Sequence, residues 1–242
     1  MRLLVSVRSA EEVAPAIEGG ADIIDAKEPA RGALGRVSVK TLRAILSRVP
    51  PECCFSVALG DVGSIEAVDS ALAGWSHFEH GSPIYLKLGF AGVTSSATIA
   101  RLIRHTVRVA SRHPILHVIP VAYADAHRAG TVAPHVLLEL AAESQASGLL
   151  VDTYIKDGRG LLSWLEPAAL AQWTEAVHRA GLLAAVAGAL RPDDLYLLRG
   201  VGADVVGVRG AACEGGREGQ VSADRVRSLR LALSGVTDPV AS

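Results

Sequence analysis

Short apolar runs alternate with amphipathic stretches along the whole chain, eight times over. The apolar runs are RLLVSV (2–7), DIIDAK (22–27), CFSVAL (54–59), IYLKLG (84–89), ILHVIPVA (115–122), GLLVDT (148–153), LLAAVAG (182–188) and DVVGVRG (204–210). They are rich in Val, Ile and Leu and bounded by Gly, Pro and polar residues, as strands buried on both faces should be. The stretches between them carry helical spacing. They are 9–20, 38–49, 63–74, 96–110, 133–145, 167–181, 191–200 and 223–233. In the first, Ser9 offers an N-cap and Glu12 a capping-box partner, with Gly19 or Gly20 as the stop. Eight strand–helix units predict a parallel sheet closed into a (β/α)8 TIM barrel. An open doubly wound sheet is the runner-up, but no G-x-G-x-x-G follows the first strand.

The length of 242 residues suits one such barrel. No linker divides it, so residues 1–235 are expected to form a single catalytic domain, with 236–242 as a loose tail. GGADII near Glu18 and GVGADVV near Arg199 resemble each other, each a helix end running into a strand.

Composition narrows the function. The formal charge of −1, with no basic tract, argues against general nucleic-acid binding. Cys53, Cys54 and Cys213 form no disulfide or zinc-binding spacing. No apolar run reaches the roughly 18 residues of a membrane span, and LLVSV is too short for a signal segment. A cytoplasmic protein is expected, away from membranes. No metal and no cofactor is expected either: HFEH at 77–80 has metal-like spacing but sits in a polar loop with no third ligand evident.

Sites in this fold form at the C-terminal ends of the strands. The second strand ends in Asp25 and Lys27, which point to the same side because strand side chains alternate. The fourth carries Lys87, in phase with Tyr85. The sixth ends at Asp152, and Lys156 follows in DTYIKDGRG. Three of the four lysines therefore fall at or just past strand C-termini. One such pair would usually be a structural ion pair; three, on even-numbered strands that feed one layer of the interior, favour a reactive cluster. Desolvation or a neighbouring cation lowers a lysine pKa and frees an amine that attacks carbonyls. Carboxylates beside it can move protons.

The ends of the seventh and eighth strands are glycine-rich. Gly188, Ala189, Gly207, Arg209 and Gly210 lie where this fold habitually binds phosphate, Arg209 adding charge. Glycines there also simply turn the chain. Ser6, Tyr123 and Asp125 are secondary candidates at the mouth. Asp61, after the third strand, reads equally as a cap or a site residue. His117 lies in an apolar strand and reads as barrel lining.

GGADIIDAKEPARGALG, AYADA, VDTYIKDGRG and VGVRGAAC resemble the motifs of the (5-formylfuran-3-yl)methyl phosphate synthases of methanofuran biosynthesis. The resemblance spans nearly the whole chain. It implies an aldolase-like lyase that condenses two glyceraldehyde 3-phosphate molecules, losing one phosphate and two waters. It also implies Lys27 as the Schiff-base lysine, with Asp25, Lys87, Asp152 and Lys156 as the other active-site residues. The expected partner is a small triose phosphate. Two other readings stay open: a class I aldolase on another phosphosugar, and a non-catalytic barrel that binds a phosphorylated metabolite. The sequence leaves oligomeric state open, a homo-oligomer included.

Overall fold

The computed structural model describes residues 1–73 and 80–235. Eight strands close into one parallel barrel in sequence order, each hydrogen-bonded to the next and the last to the first. They are β1 (Arg2–Val7), β2 (Ile23–Ala26), β3 (Cys54–Asp61), β4 (Ile84–Gly89), β5 (Leu116–Tyr123), β6 (Gly148–Asp152), β7 (Leu183–Val186) and β8 (Val205–Val208). The helices that return the chain to the bottom of the barrel are α1 (Val13–Glu18), α2 (Val39–Leu46), α3 (Ile65–Leu72), α4 (Ser96–Ala110), α6 (Pro134–Glu143), α7 (Pro167–Arg179) and α8 (Pro192–Leu198). A four-residue α5 (Ala126–Ala129) follows β5, and α9 (Ala223–Ser234) follows β8.

Local chemistry sets the helix starts. Ser38, Ser64 and Ser95 each accept the backbone N–H three residues on, and α6, α7 and α8 each begin with proline. The expected capping box at Ser9 does not form: the Ser9 side chain makes no capping hydrogen bond. Glu12 instead turns inward to the Arg8 amide and to Arg209. A buried guanidinium is a stronger partner for this carboxylate than an exposed helix start.

The pleat sorts side chains into two cores. Leu3, Val5 and Val7 of β1, Ile24 and Ala26 of β2, and Leu149 and Val151 of β6 face the helices. Leu4, Ile23, Ile119, Leu150, Ala185 and Val205 face the barrel interior. Interior positions nearer the strand C-termini turn polar, at Ser6, Asp25, Ser56, Lys87 and Asp152. The two Gly-Ala-Asp segments do the same job. Asp22 accepts the N–H of Leu3 at 2.7 Å, and Asp204 that of Ala184 at 2.8 Å. Each aspartate thus ties the start of its own strand to the strand before it.

The loop after β8 has structure of its own. It folds into a small antiparallel hairpin, β9 (Cys213–Glu214) with β10 (Gln220–Val221). The tail expected at 236–242 lies outside the described residues, as does His77. Among the described residues no helix is long and apolar enough to cross a membrane.

Candidate active site

A cavity of about 420 Å³ opens at the C-terminal end of the barrel. Its floor is apolar, made by Leu4, Ile23, Ile119 and Leu150. Its waist holds Ser6, Ser56, Lys27, Lys87, Asp152 and Lys156. Its rim runs from the loop after β7 to the loop after β8.

Lys87 Nζ stands 2.7 Å from Asp25 Oδ1, an ion pair at an angle outside hydrogen-bond geometry. The other Asp25 oxygen accepts the Ser6 hydroxyl at 2.7 Å. Lys156 Nζ donates to Asp152 Oδ1 at 2.6 Å and to Thr153 Oγ1 at 2.9 Å. Lys27 is tied less closely: its nearest carboxylate oxygen, on Asp152, is 3.8 Å away. Strand β2 stops at Ala26, so Lys27 sits one residue beyond it with its side chain over the cavity. The three lysines and two aspartates that the sequence places on β2, β4 and β6 therefore meet in one cluster.

This cluster perturbs its own ionisation. Burial is the largest influence on Lys27 and disfavours its ammonium. Asp152 opposes that, Lys87 and Lys156 reinforce it, and the amine falls from 10.5 to about 7. Burial would raise the Asp152 carboxyl, but Lys156 and Lys27 outweigh it and hold the group at about 2. Asp25 is likewise pushed up by burial and pulled below its ordinary value by Lys87 and Lys27. Near neutral pH the site thus holds two carboxylates and one lysine poised between amine and ammonium.

The glycine-rich rim is shaped for close approach. Gly188 has φ +126°, a conformation open to glycine at little cost. The next residue, Ala189, is held at φ +48°. A non-glycine residue is strained there, and such strain collects at ligand sites. Gly188, Ala189, Gly207 and Gly210 all line the cavity.

Three candidates take other places. Arg209 touches the cavity wall, but its guanidinium is saturated. It donates to Glu12 twice and to the carbonyls of Ser6, Arg217 and Gly219, which uses all five N–H groups. It is a strut beneath the rim and has no donor left for an anion. Tyr123 is buried inside the barrel and donates to Asp61 at 2.8 Å; burial, and after it the Asp61 carboxylate, raises its phenol well above the ordinary value. Asp125 lies below the loop after β6. It accepts the N–H groups of Tyr154 at 2.6 Å and Ile155 at 3.0 Å, which steadies the segment that carries Lys156.

Sequence reasoning passed over Ser56, Arg191 and Arg217, all of which line the cavity. The alternation of β3 was a usable signal for Ser56, since it shares the inward face with Ala58. For Arg217 the signal was the run of glycines around it in EGGREG.

Fold and site together define a (β/α)8-barrel enzyme whose polar mouth is organised around lysines. Solved structures share the architecture. The 3-hexulose-6-phosphate synthase of Salmonella typhimurium superposes with a TM-score of 0.67 at 17% identity, over 98% of this chain and 100% of that one. Phosphoribosyl anthranilate isomerase of Thermus thermophilus gives 0.65 at 16%, with 98% and 100% covered. Sequence goes further. Residues 3–230 match the model of the 4-HFC-P synthase family, and the chain belongs to that family. It is 36% identical to the (5-formylfuran-3-yl)methyl phosphate synthase of Methanothermobacter thermautotrophicus, covering 96% of this chain and 99% of that one. A putative synthase of the same name from Kitasatospora aureofaciens is 35% identical, with 96% and 94% covered.

Proposed function

We propose that this enzyme condenses two molecules of glyceraldehyde 3-phosphate into (5-formylfuran-3-yl)methyl phosphate, in methanofuran-type cofactor biosynthesis. The observation that carries the chemistry is Lys27: buried, brought to about 7, and without a close carboxylate clamp. Such an amine is partly neutral at physiological pH and free to attack an aldehyde. The relatives' shared name supports the product.

Lys27 Nζ adds to the carbonyl carbon of one triose phosphate, and loss of water gives a protonated imine. Asp152 stands across from that nitrogen and favours its positive charge. The cationic imine acidifies the neighbouring C–H. The ion pairs Asp152–Lys156 and Asp25–Lys87 flank the reacting atoms as proton acceptors and donors. Carbon–carbon bond formation joins the two trioses, phosphate leaves as inorganic phosphate, dehydration closes the ring, and hydrolysis of the imine returns the aldehyde and frees Lys27. Two trioses minus one phosphoric acid and two waters equal the furan phosphate. The sequence is redox-neutral and consumes no electron carrier. The rim at Gly188, Ala189 and Gly210 cradles the retained phosphate through backbone N–H groups.

The test is incubation of the full chain with glyceraldehyde 3-phosphate alone, following furan absorbance and free phosphate together. Equal amounts of both, with a borohydride-trapped adduct on Lys27 that Lys27→Ala abolishes, support the reading. Undiminished trapping in Lys27→Ala would exclude Lys27 as the imine lysine. Turnover without phosphate release would point to a reversible aldolase on another phosphosugar.

A further inference from the structure

The cavity's basic groups differ sharply in what already neutralises them. Lys87 and Lys156 each lie within 2.7 Å of a carboxylate, and Lys27 lies 3.8 Å from one. Arg209 is paired with Glu12 and fully bonded. Among the described residues two arginines of the lining have no such partner, the exposed Arg191 and the more enclosed Arg217. Arg217 lines the cavity half-buried, yet among the described residues no carboxylate lies within ion-pairing distance of it. Its Nη2 donates to two neutral acceptors, the carbonyls of Pro29 at 3.1 Å and Gly32 at 2.7 Å. Its Nε and Nη1 make no hydrogen bond to the described residues.

The fold takes trouble to put it there. Arg217 rides a tight turn (Gly216–Glu218) at the tip of the β9–β10 hairpin. Arg209 holds that turn from below, through the carbonyls of Arg217 and Gly219. Position 219 admits only glycine, since a Cβ there would fall 1.6 Å from the Glu214 carbonyl oxygen. The turn packs on the rim: a Cβ on Gly210 would lie 3.4 Å from the Arg217 nitrogen. From this place the guanidinium reaches the loop after β2, a few residues beyond Lys27. It therefore spans the distance between the glycine-rich rim and the loop of the reactive lysine.

A half-buried cation whose hydrogen bonds go to neutral carbonyls, with Asp152 and Glu218 acting on it only at longer range, is an incomplete arrangement. Charge taken from water needs a counter-charge. The Nε and Nη1 hydrogens of Arg217 lie on separate edges of the guanidinium plane, and each can give a charge-assisted hydrogen bond to a phosphate oxygen. We propose that Arg217 is a binding residue for a phosphate monoester group of the substrate, the role that its position in the sequence had suggested for Arg209. The proposal rests on the reading of a triose phosphate substrate. In it, the Pro29 and Gly32 contacts are a clasp that holds the side chain ready, and Arg209 is the strut that supports it.

Glycerol 3-phosphate separates binding from chemistry, because it carries the phosphate ester but no carbonyl and forms no imine. Its affinity for the full chain is measured by calorimetry with wild type, Arg217→Gln and Arg217→Lys. Loss of charge-assisted hydrogen bonds predicts binding weaker by about ten- to a hundredfold in Arg217→Gln. Arg217→Lys keeps the charge but not the two separate donor directions, and should fall between the two. It also stands in if Arg217→Gln fails to fold. Unchanged affinity in either folded variant, even with a lowered melting temperature, overturns the proposal and leaves Arg217 as a clasp alone. Wild type that binds no glycerol 3-phosphate overturns it together with the phosphate-ester reading. Binding that depends on Arg217, with no trapped imine on Lys27, leaves Arg217 standing and sinks only the imine chemistry.

Discussion

Replacing Lys27 with methionine should make the protein more stable at neutral and acidic pH, and the gain should fade as pH rises. The unfolded lysine titrates near 10.5 and the folded one near 7. Above the unfolded value both states carry a neutral amine, and burial costs nothing in charge. Between the two values folding must strip a proton from the lysine, so stability falls as pH falls through this window. Below about 7 both states are protonated and the full penalty is present. At about 1.4 kcal/mol per pH unit, the span from 10.5 to about 7 is worth on the order of 5 kcal/mol. Methionine has similar length and no charge, so Lys27→Met removes the titration while it fills the space. Asp152 loses one partner in this variant, but it stays ionised across the window, paired with Lys156. Its loss therefore shifts the curve without tilting it. The assay is urea unfolding of both proteins from about pH 6 to about pH 10, with the difference in extrapolated stability plotted against pH. A difference that shrinks by several kcal/mol toward high pH is the expected result. A difference that stays flat, or grows with pH, would refute the claim that this lysine titrates near neutrality.

Asp152→Asn removes the carboxylate that raises the Lys27 pKa, so the acid limb of imine trapping by borohydride should move to lower pH, while turnover falls about a hundredfold or more. Glu12→Gln breaks the buried pair with Arg209, and the melting temperature should drop by the equivalent of roughly 3–5 kcal/mol. Asp125→Asn weakens the hold on the Tyr154 and Ile155 amides. Hydrogen exchange at those two sites should speed up, and kcat should fall more than KM rises, because Lys156 is then less well positioned.

The barrel was legible because each of its strands is buried on both faces, and that leaves a run of Val, Ile and Leu in the chain. IYLKLG was delimited to the residue, and α4 as well. Most other ends slipped by one or two positions, as at β2, where Asp22 and Lys27 flank the ladder without joining it, while the start of α1 and the end of α2 slipped further. The lysine–aspartate cluster was legible for a related reason. A charge inside an apolar run has few places to go except the open end of the barrel. Arg209 was misplaced because its neighbours in sequence form the rim, while its partner Glu12 is 197 residues away. No local pattern announces such a pairing. Asp125 and Tyr123 misled in the same way: both sit near the mouth, but one is spent on backbone N–H groups and the other on Asp61. Arg217 escaped notice because a glycine-rich hairpin carries no periodicity to mark which side chain it aims inward.

The ladder between β1 and β8 joins the two ends of the barrel, and Arg209 crosses that seam to reach Ser6 and Glu12. During synthesis every reactive lysine emerges well before β8 does. A chain released short of Val205 would own the whole amine cluster and lack the β8 half of the rim, the strut and the seam. Its β1 edge would stand open, with unpaired N–H and C=O groups inviting a second chain. Enclosure of the cluster thus waits on the segment from Val205 through α9, which adds no lysine and yet decides whether the lysines are ever enclosed.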